Sequence, residues 1–302
     1  MMRAAHVLLD NEPKILRDDL ALGLRGVENE AALRAVLSGL QAEIAQKTTP
    51  EFAHTLSRAT RALMAWRSRY VEDELEESLQ RGVAQYVILG AGLDSFAYRR
   101  RDLAGVVRVF EVDHPATQHW KRARLHTLGV EIPSNVTFVP IDFEQQTLRE
   151  GLRAGGYRME EPGVFSWLGV TAYLTEDAIL STLRDVASLA AGTEIIFQYE
   201  ELESQLDAES QRIVAVTKTF VAARGEPWLS FFDPANLRAR VQELGFAEVG
   251  DFRPEDANAR YFAGRRDELR AFPSSHLMKA QVGSVSSSEE RIQSRHLTHR
   301  CT

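Results

Sequence analysis

Apolar positions along the first third of the chain recur at helical spacing. Leu33, Val36, Leu37, Leu40 and Ile44 form one series, and Leu56, Leu63, Trp66, Tyr70 and Leu75 form a second. Pro50 lies between them and suits a first helical turn, where its missing N–H leaves no bond unmade. No strand-like run precedes Gln85, so residues 1–82 are predicted to form a helical cap. From Tyr86 the pattern changes to short apolar runs. Residues 86–89, 106–112, 136–141, 163–168 and 194–199 read as five strands, and the second and third are followed by Asp113 and Asp142. Helices fill the gaps. One starts at Pro115 and runs to Leu128, and one starts at Thr175 with Ile179, Leu183, Val186 and Leu189 on one face. Asp233-Pro234 opens another, with the aspartate as N-cap, and it stops at Gly245. Residues 246–252 alternate like a strand, and 277–282 read as the last one. Strands alternating with helices predict an α/β domain over 83–282, with a parallel sheet covered on both faces. From Gly283 the chain turns serine-rich and charged without periodicity, and 283–302 are predicted to be a disordered tail.

Composition narrows the function classes. A net charge of −7 argues against general nucleic-acid affinity, which rests on a basic face. The single cysteine, Cys301, allows neither an internal disulfide nor a thiolate metal cluster. His114, His119 and His126 share a helix at spacings that make no tight metal face, so no metal is expected. No apolar run has the length of about 18 residues needed to span a bilayer, and no secretory leader is visible. A cytoplasmic location, with neither membrane nor nucleic acid as partner, is the expectation.

The candidate chemistry begins at Gly90-Ala91-Gly92-Leu93-Asp94, where the first strand ends. In doubly wound sheets ligands bind beyond the carboxyl ends of the strands, and glycine lets the backbone approach them closely. A Gly-x-Gly is also an ordinary turn. The second strand, however, ends in Asp113, 21 residues after Gly92, where an acid accepts hydrogen bonds from a ribose diol. The other reading of Asp113 is a cap for the helix at Pro115. A dinucleotide site wants a third glycine, but Ser95 stands there, and Asp94 places a carboxylate where a pyrophosphate would lie. Charge therefore favours a phosphate-free, cationic adenosine cofactor over a nicotinamide dinucleotide.

These residues carry a resemblance. Residues 87–99 and 109–115, then Phe165-Ser166-Trp167-Leu168-Gly169-Val170-Thr171-Ala172-Tyr173-Leu174-Thr175 and Asn258-Ala259-Arg260-Tyr261-Phe262-Ala263-Gly264-Arg265, resemble the leucine carboxyl methyltransferase-like family. More closely they are similar to its bacterial branch of S-adenosylmethionine-dependent methyltransferases. The resemblance spans about residues 64–282. It implies a Rossmann-like class I methyltransferase with a mostly parallel seven-stranded sheet and S-adenosyl-L-methionine as cofactor. It also implies that Arg67 binds the cofactor carboxylate, that the Gly90 carbonyl meets the ammonium, that Asp113 takes the ribose and that Asp142 and Phe143 contact adenine. Arg69 competes with Arg67 for the first role, and a helix cap is the other reading of Asp142. Many members carry a glutamate five residues before the tyrosine matching Tyr173; here Leu168 stands there.

The expected activity is methyl transfer to a carboxyl or hydroxyl of a small-molecule acceptor. A protein carboxyl methyltransferase, a nicotinamide oxidoreductase and a non-catalytic cofactor-binding protein are the alternatives. No dedicated base is visible. Tyr173, Tyr199 and Glu200 stand near carboxyl ends of strands and are candidates to line the pocket, while residues 200–230 read as helix without evident chemistry.

Overall fold

The structure, a computed structural model, describes residues 1–142, 145–271 and 274–283. Four helices come first: α1 (Met2–Leu9), α2 (Ala21–Arg25), α3 (Glu30–Lys47) and α4 (Pro50–Gln80). Asn29 and Thr49 cap α3 and α4 by accepting from backbone N–H groups at Ala32 and Phe52. The alternating region follows as β1 (Gln85–Leu89), α5 (Phe96–Arg99), β2 (Arg108–Asp113), α6 (Pro115–Thr127), β3 (Val136–Pro140), α7 (Leu148–Ala154) and β4 (Val164–Trp167). Then come α8 (Glu176–Ala187), β5 (Glu194–Glu200), α9 (Ala208–Ala222), α10 (Pro234–Glu243), β6 (Phe246–Phe252), α11 (Pro254–Ala257) and β7 (Ser275–Val282). All seven expected strands are present, with ends shifted by up to two residues. The predicted tail beyond Gly283 lies outside the described residues.

The sheet order is β3-β2-β1-β4-β5-β7-β6. β1 pairs in parallel with both β2 and β4, while β7 runs antiparallel to β5 and β6. The order therefore reverses between β1 and β4, and a ligand cleft forms at the carboxyl edge of such a switch point. Residues along a strand alternate between faces, so each strand feeds two cores. On one face Val87, Phe110, Phe165 and Phe197 pack under α7, α8 and α10, which supply Leu152, Leu183 and Val241. On the other, Tyr86, Ile88, Val109 and Ile196 pack against Trp66, Tyr70 and Leu75 of α4.

The second core ties α4 to the sheet. Its carboxyl half lies on the strands, with Trp66 1% exposed and Leu75 fully buried. Its amino half continues past the carboxyl edge, where Phe52 and Leu56 meet Ile213 of α9. One helix thus forms both sheet layer and cover. The chain before α2 is held by the β6–β7 connection: Arg265 donates to the carbonyls of Asn11 (2.9 Å) and Pro13 (2.7 Å), and Asn11 N–H donates to Asp267. On the β2 side a buried pair, Lys121 Nζ to Glu111 Oε2 at 2.6 Å, joins α6 to the strand that ends in Asp113. Breaking such a pair by removing one partner costs about 3–5 kcal/mol, because the other charge stays buried.

Candidate functional site

β1 ends at Leu89 and the chain turns at the switch point. Gly90 has φ +65° and Gly92 φ +45°. A Cβ at Gly90 would also meet Val170 Cγ2 at 2.6 Å, so both backbone and space require glycine. The turn is stitched to β2. Ala91 N–H donates to the Val112 carbonyl (3.0 Å), and Gly92 N–H donates to Asp113 Oδ2 (2.5 Å). Asp113 Oδ1 accepts from the His114 N–H at 2.7 Å. The cap of α6 is His114, whose Nδ1 accepts from the Ala116 N–H, so Asp113 is the turn's partner and not the helix cap. A carboxylate offers about four acceptor positions, which leaves about two for a diol.

Beside the turn lies a cavity of about 360 Å³. Residues 90–94 form one wall, Met64, Arg67 and Ser68 of α4 a second, Ser166 and Leu168 after β4 a third, and Met1, Met2 and Arg3 a fourth. The fourth wall had no signal in the sequence. Arg3 donates to the Leu93 carbonyl (2.7 Å) and pairs with Asp94 (3.3 Å) and buried Asp18 (3.2 Å), which pins α1 over the glycine turn. Burial pushes the Asp94 carboxyl up, but Arg3, Lys121, the Phe96 N–H and Arg99 outweigh it and hold it below the usual carboxylate range. Asp94 is thus the anion expected from the sequence. Arg3 offsets part of its charge, which weakens the electrostatic case against a phosphate at this spot.

Arg67 stands inside the cavity wall, whereas Arg69 points outward to Asp73 (2.6 Å). Of the two arginines, Arg67 alone lines the cavity. Gly169, at φ +70°, makes room for the Arg67 guanidinium: a Cβ there would sit 2.9 Å from Nη1. Arg67 Nη1 donates to Gln198 Oε1 at 2.6 Å, and its buried Nε has no hydrogen-bond partner. Among the described residues no carboxylate lies within ion-pair distance of it. Burial pushes the guanidinium down to about 10, with Arg3 adding to the effect, yet leaves it charged at neutral pH. A half-buried cation with an unused, buried Nε–H suits a carboxylate ligand, which it can grip through two parallel bonds.

The remaining candidates separate. Asp142 follows β3 at the same edge, next to Ile141, whose N–H donates to the Asp113 carbonyl (3.0 Å). Neither Asp142 nor Asp113 is part of the cavity wall. Asp142 Oδ2 accepts from Gln145 Nε2 (2.6 Å), and the helix beyond it, α7, is capped by Thr147 and Glu150 in a reciprocal box. Phe143 lies outside the described residues. Tyr199 faces the other side of the sheet, where its hydroxyl donates to Asp251 (3.0 Å) and lies 3.3 Å from His276 Nδ1. Glu200 is on the α4 side. Gln198, which touches Arg67, was hidden inside what reads as an apolar strand.

A model of the family described as leucine carboxyl methyltransferase matches residues 1–187. A Bacillus subtilis protein named "Putative S-adenosyl-L-methionine-dependent methyltransferase YktD" is 35% identical over 216 residues, covering 71% of this chain and 70% of that protein. A Mycobacterium marinum protein named "Putative S-adenosyl-L-methionine-dependent methyltransferase" is 33% identical over 184 residues, 61% of this chain. That match spans about half of the relative's length, 53%. Among solved structures, a duf574 family protein from Streptomyces avermitilis aligns at 18% identity with a TM-score of 0.51, covering 78% of this chain and 91% of that one, which is a likeness of fold.

Proposed function

The chain belongs to the leucine carboxyl methyltransferase family, and from that premise we propose that it methylates a carboxyl or hydroxyl oxygen of a small-molecule acceptor. It is an S-adenosylmethionine-dependent methyltransferase, and the nicotinamide and non-catalytic alternatives fall with that assignment. When bound, the cofactor supplies a sulfonium methyl group for in-line displacement. The chain's own task is alignment, and orientation can contribute about 7–11 kcal/mol in favourable cases.

The residues at the carboxyl edge fit that cofactor. Arg67 would hold its carboxylate, the Gly90 carbonyl its ammonium, Asp113 its ribose hydroxyls and Asp142 the amine of adenine. The fit rests on the unused Nε–H of half-buried Arg67 and on the open acceptor positions of Asp113. A carboxylate acceptor is nucleophilic without further help. A hydroxyl acceptor needs a base, and among the described residues no side chain in the cavity wall fills that role.

One observation carries the small-molecule reading: Met1, Met2, Arg3 and Met64 wall the cavity, and Arg3 is bonded to Leu93, Asp94 and Asp18. Walled on one side by α1, the cavity admits a small acceptor more readily than a folded protein surface. The description of the family favours a second reading, a protein carboxyl acceptor. Methyl transfer from labelled S-adenosylmethionine to a panel of small carboxylates and hydroxyl compounds, with cell extract protein alongside, separates the two. Label in a small-molecule fraction is the expected result. Label confined to the protein fraction as base-labile ester would replace it with the second reading.

A further inference from the structure

The amino-acid end of the cavity has a second layer. Gln198 and Glu200 are two residues apart on β5, so both face α4, as Ile196 does in the core with Trp66 and Tyr70. Gln198 Oε1 accepts from Arg67 Nη1 at 2.6 Å, and Gln198 Nε2 donates to Glu200 Oε1 at 2.8 Å. Arginine only donates and a carboxylate only accepts, so the amide between them has one workable orientation. Glu200 is 2% exposed, and Ser275 Oγ, its neighbour on β7, lies 2.7 Å from both of its oxygens. Thr171 fixes the same strand by donating to the Gln198 carbonyl.

We propose that Glu200 is a positioning residue for the cofactor, acting on Arg67 through Gln198, and that seating the cofactor carboxylate on Arg67 drives a proton from solvent onto Glu200. Before binding, Glu200 is the buried negative charge that answers Arg67 at one remove. The incoming carboxylate takes over that service and leaves Glu200 facing a neutralised arginine. Two buried negative charges flanking one guanidinium are costly in a low dielectric, and protonating Glu200 relieves the excess. The hydrogen bonds survive the change: Oε1 continues to accept from Gln198, while a proton on Oε2 points to Ser275, whose hydroxyl turns to accept it.

The charge surroundings permit this near neutrality. Burial pushes the Glu200 carboxyl up to about 7, against the opposing pull of Ser275, Gln198, Arg67 and His276. The groups that act on it are Arg67 from α4, Gln198 from its own strand, Ser275 from β7 and, from the other face of the sheet, His276. His276 is itself engaged by Asp251 and Glu201 at 3.1 and 3.2 Å. Arg67 in turn feels Arg3, Tyr173 and Asp94. The sign follows. A bound-state pKa above the free value makes affinity highest below about pH 7 and lets it fall as pH rises through the gap between the two values. Each unit of difference is a tenfold change in affinity.

The inference rests on Arg67 holding the cofactor carboxylate, and the test separates the two. Calorimetric titration of S-adenosylhomocysteine into the full chain, in buffers of different ionisation enthalpy just above pH 7, reads proton uptake directly. The ligand's own amino group titrates nearby, so the comparison is with Glu200→Gln, which keeps the shape and removes the charge. Wild type is expected to take up more protons than Glu200→Gln, and its affinity is expected to weaken up to tenfold per pH unit across the window where the variant's stays flatter. Ser275→Ala, which withdraws hydrogen bonds from the ionised form, is expected to move that window to higher pH. Equal proton uptake by wild type and Glu200→Gln overturns the inference. Unchanged affinity in Arg67→Ala overturns the placement of the carboxylate beneath it.

Discussion

The two ends of the proposed cofactor site are built in different ways. At the ribose end everything is close in sequence: a glycine turn after β1, and Asp113 at the end of the adjacent strand, joined by one bond from the Gly92 N–H to the carboxylate. At the amino-acid end Arg67 comes from α4, Gln198 and Glu200 from β5, and Ser275 from β7. The ribose end presents backbone and a half-buried acid whose oxygens already accept hydrogen bonds. The amino-acid end holds a half-buried cation with a buried, unsatisfied N–H. An end assembled from neighbours can form as soon as two strands pair, whereas one gathered from three distant segments exists only once the sheet is complete.

That contrast can be broken by substitution. Arg67→Ala is expected to have the largest effect, lowering cofactor affinity by about 2–5 kcal/mol, because the ligand carboxylate loses its buried partner. Equilibrium binding of S-adenosylhomocysteine measures it, and a loss well below 1 kcal/mol would mean that the two ends do not differ as described. Asp113→Ala comes next, at about 1.5–3 kcal/mol, the range for hydrogen bonds to a charged group. Here the structure adds a second cost, since the Gly92 N–H is also released. Adenosine, which has a ribose but no amino acid, distinguishes the ends: its binding should suffer from Asp113→Ala and ignore Arg67→Ala. Arg3→Ala is expected to be mildest on cofactor affinity, within about 1 kcal/mol, because its pair with Asp94 is reached by solvent, although the fold also loses a partner of buried Asp18. Its signature is a faster dissociation rate in stopped flow, not a large change in affinity.

The same contrast explains what was legible in the sequence. Strand runs such as 86–89 and 246–252 were readable because buried parallel strands and half-exposed edge strands leave simple periodic marks. Gly90 and Asp113 were readable because a local turn and a strand end lie at a fixed spacing. Asp113's bond to the turn was not, since the position serves equally well as a helix cap until the backbone shows His114 in that role. Arg67 emerged only through family resemblance; on α4 it looks no different from Arg69, and what selects it is burial. Gln198 left no mark because a glutamine within Glu194–Glu200 reads as a flaw in an apolar strand. Met1, Met2 and Arg3 reach the cavity across a separation of about ninety residues, which no local pattern encodes.

Arg3 also sets a tempo. If the spent cofactor leaves past α1, each catalytic cycle includes one release and one re-formation of the contacts to Leu93, Asp94 and Asp18. Lid motions of this kind take microseconds to milliseconds and often govern turnover once chemistry is fast. With acceptor in excess, the expectation is a kcat that falls with solvent viscosity in the wild type and does so less in Arg3→Ala. A kcat equally insensitive in both would show that the helix stays shut while ligands leave by another route.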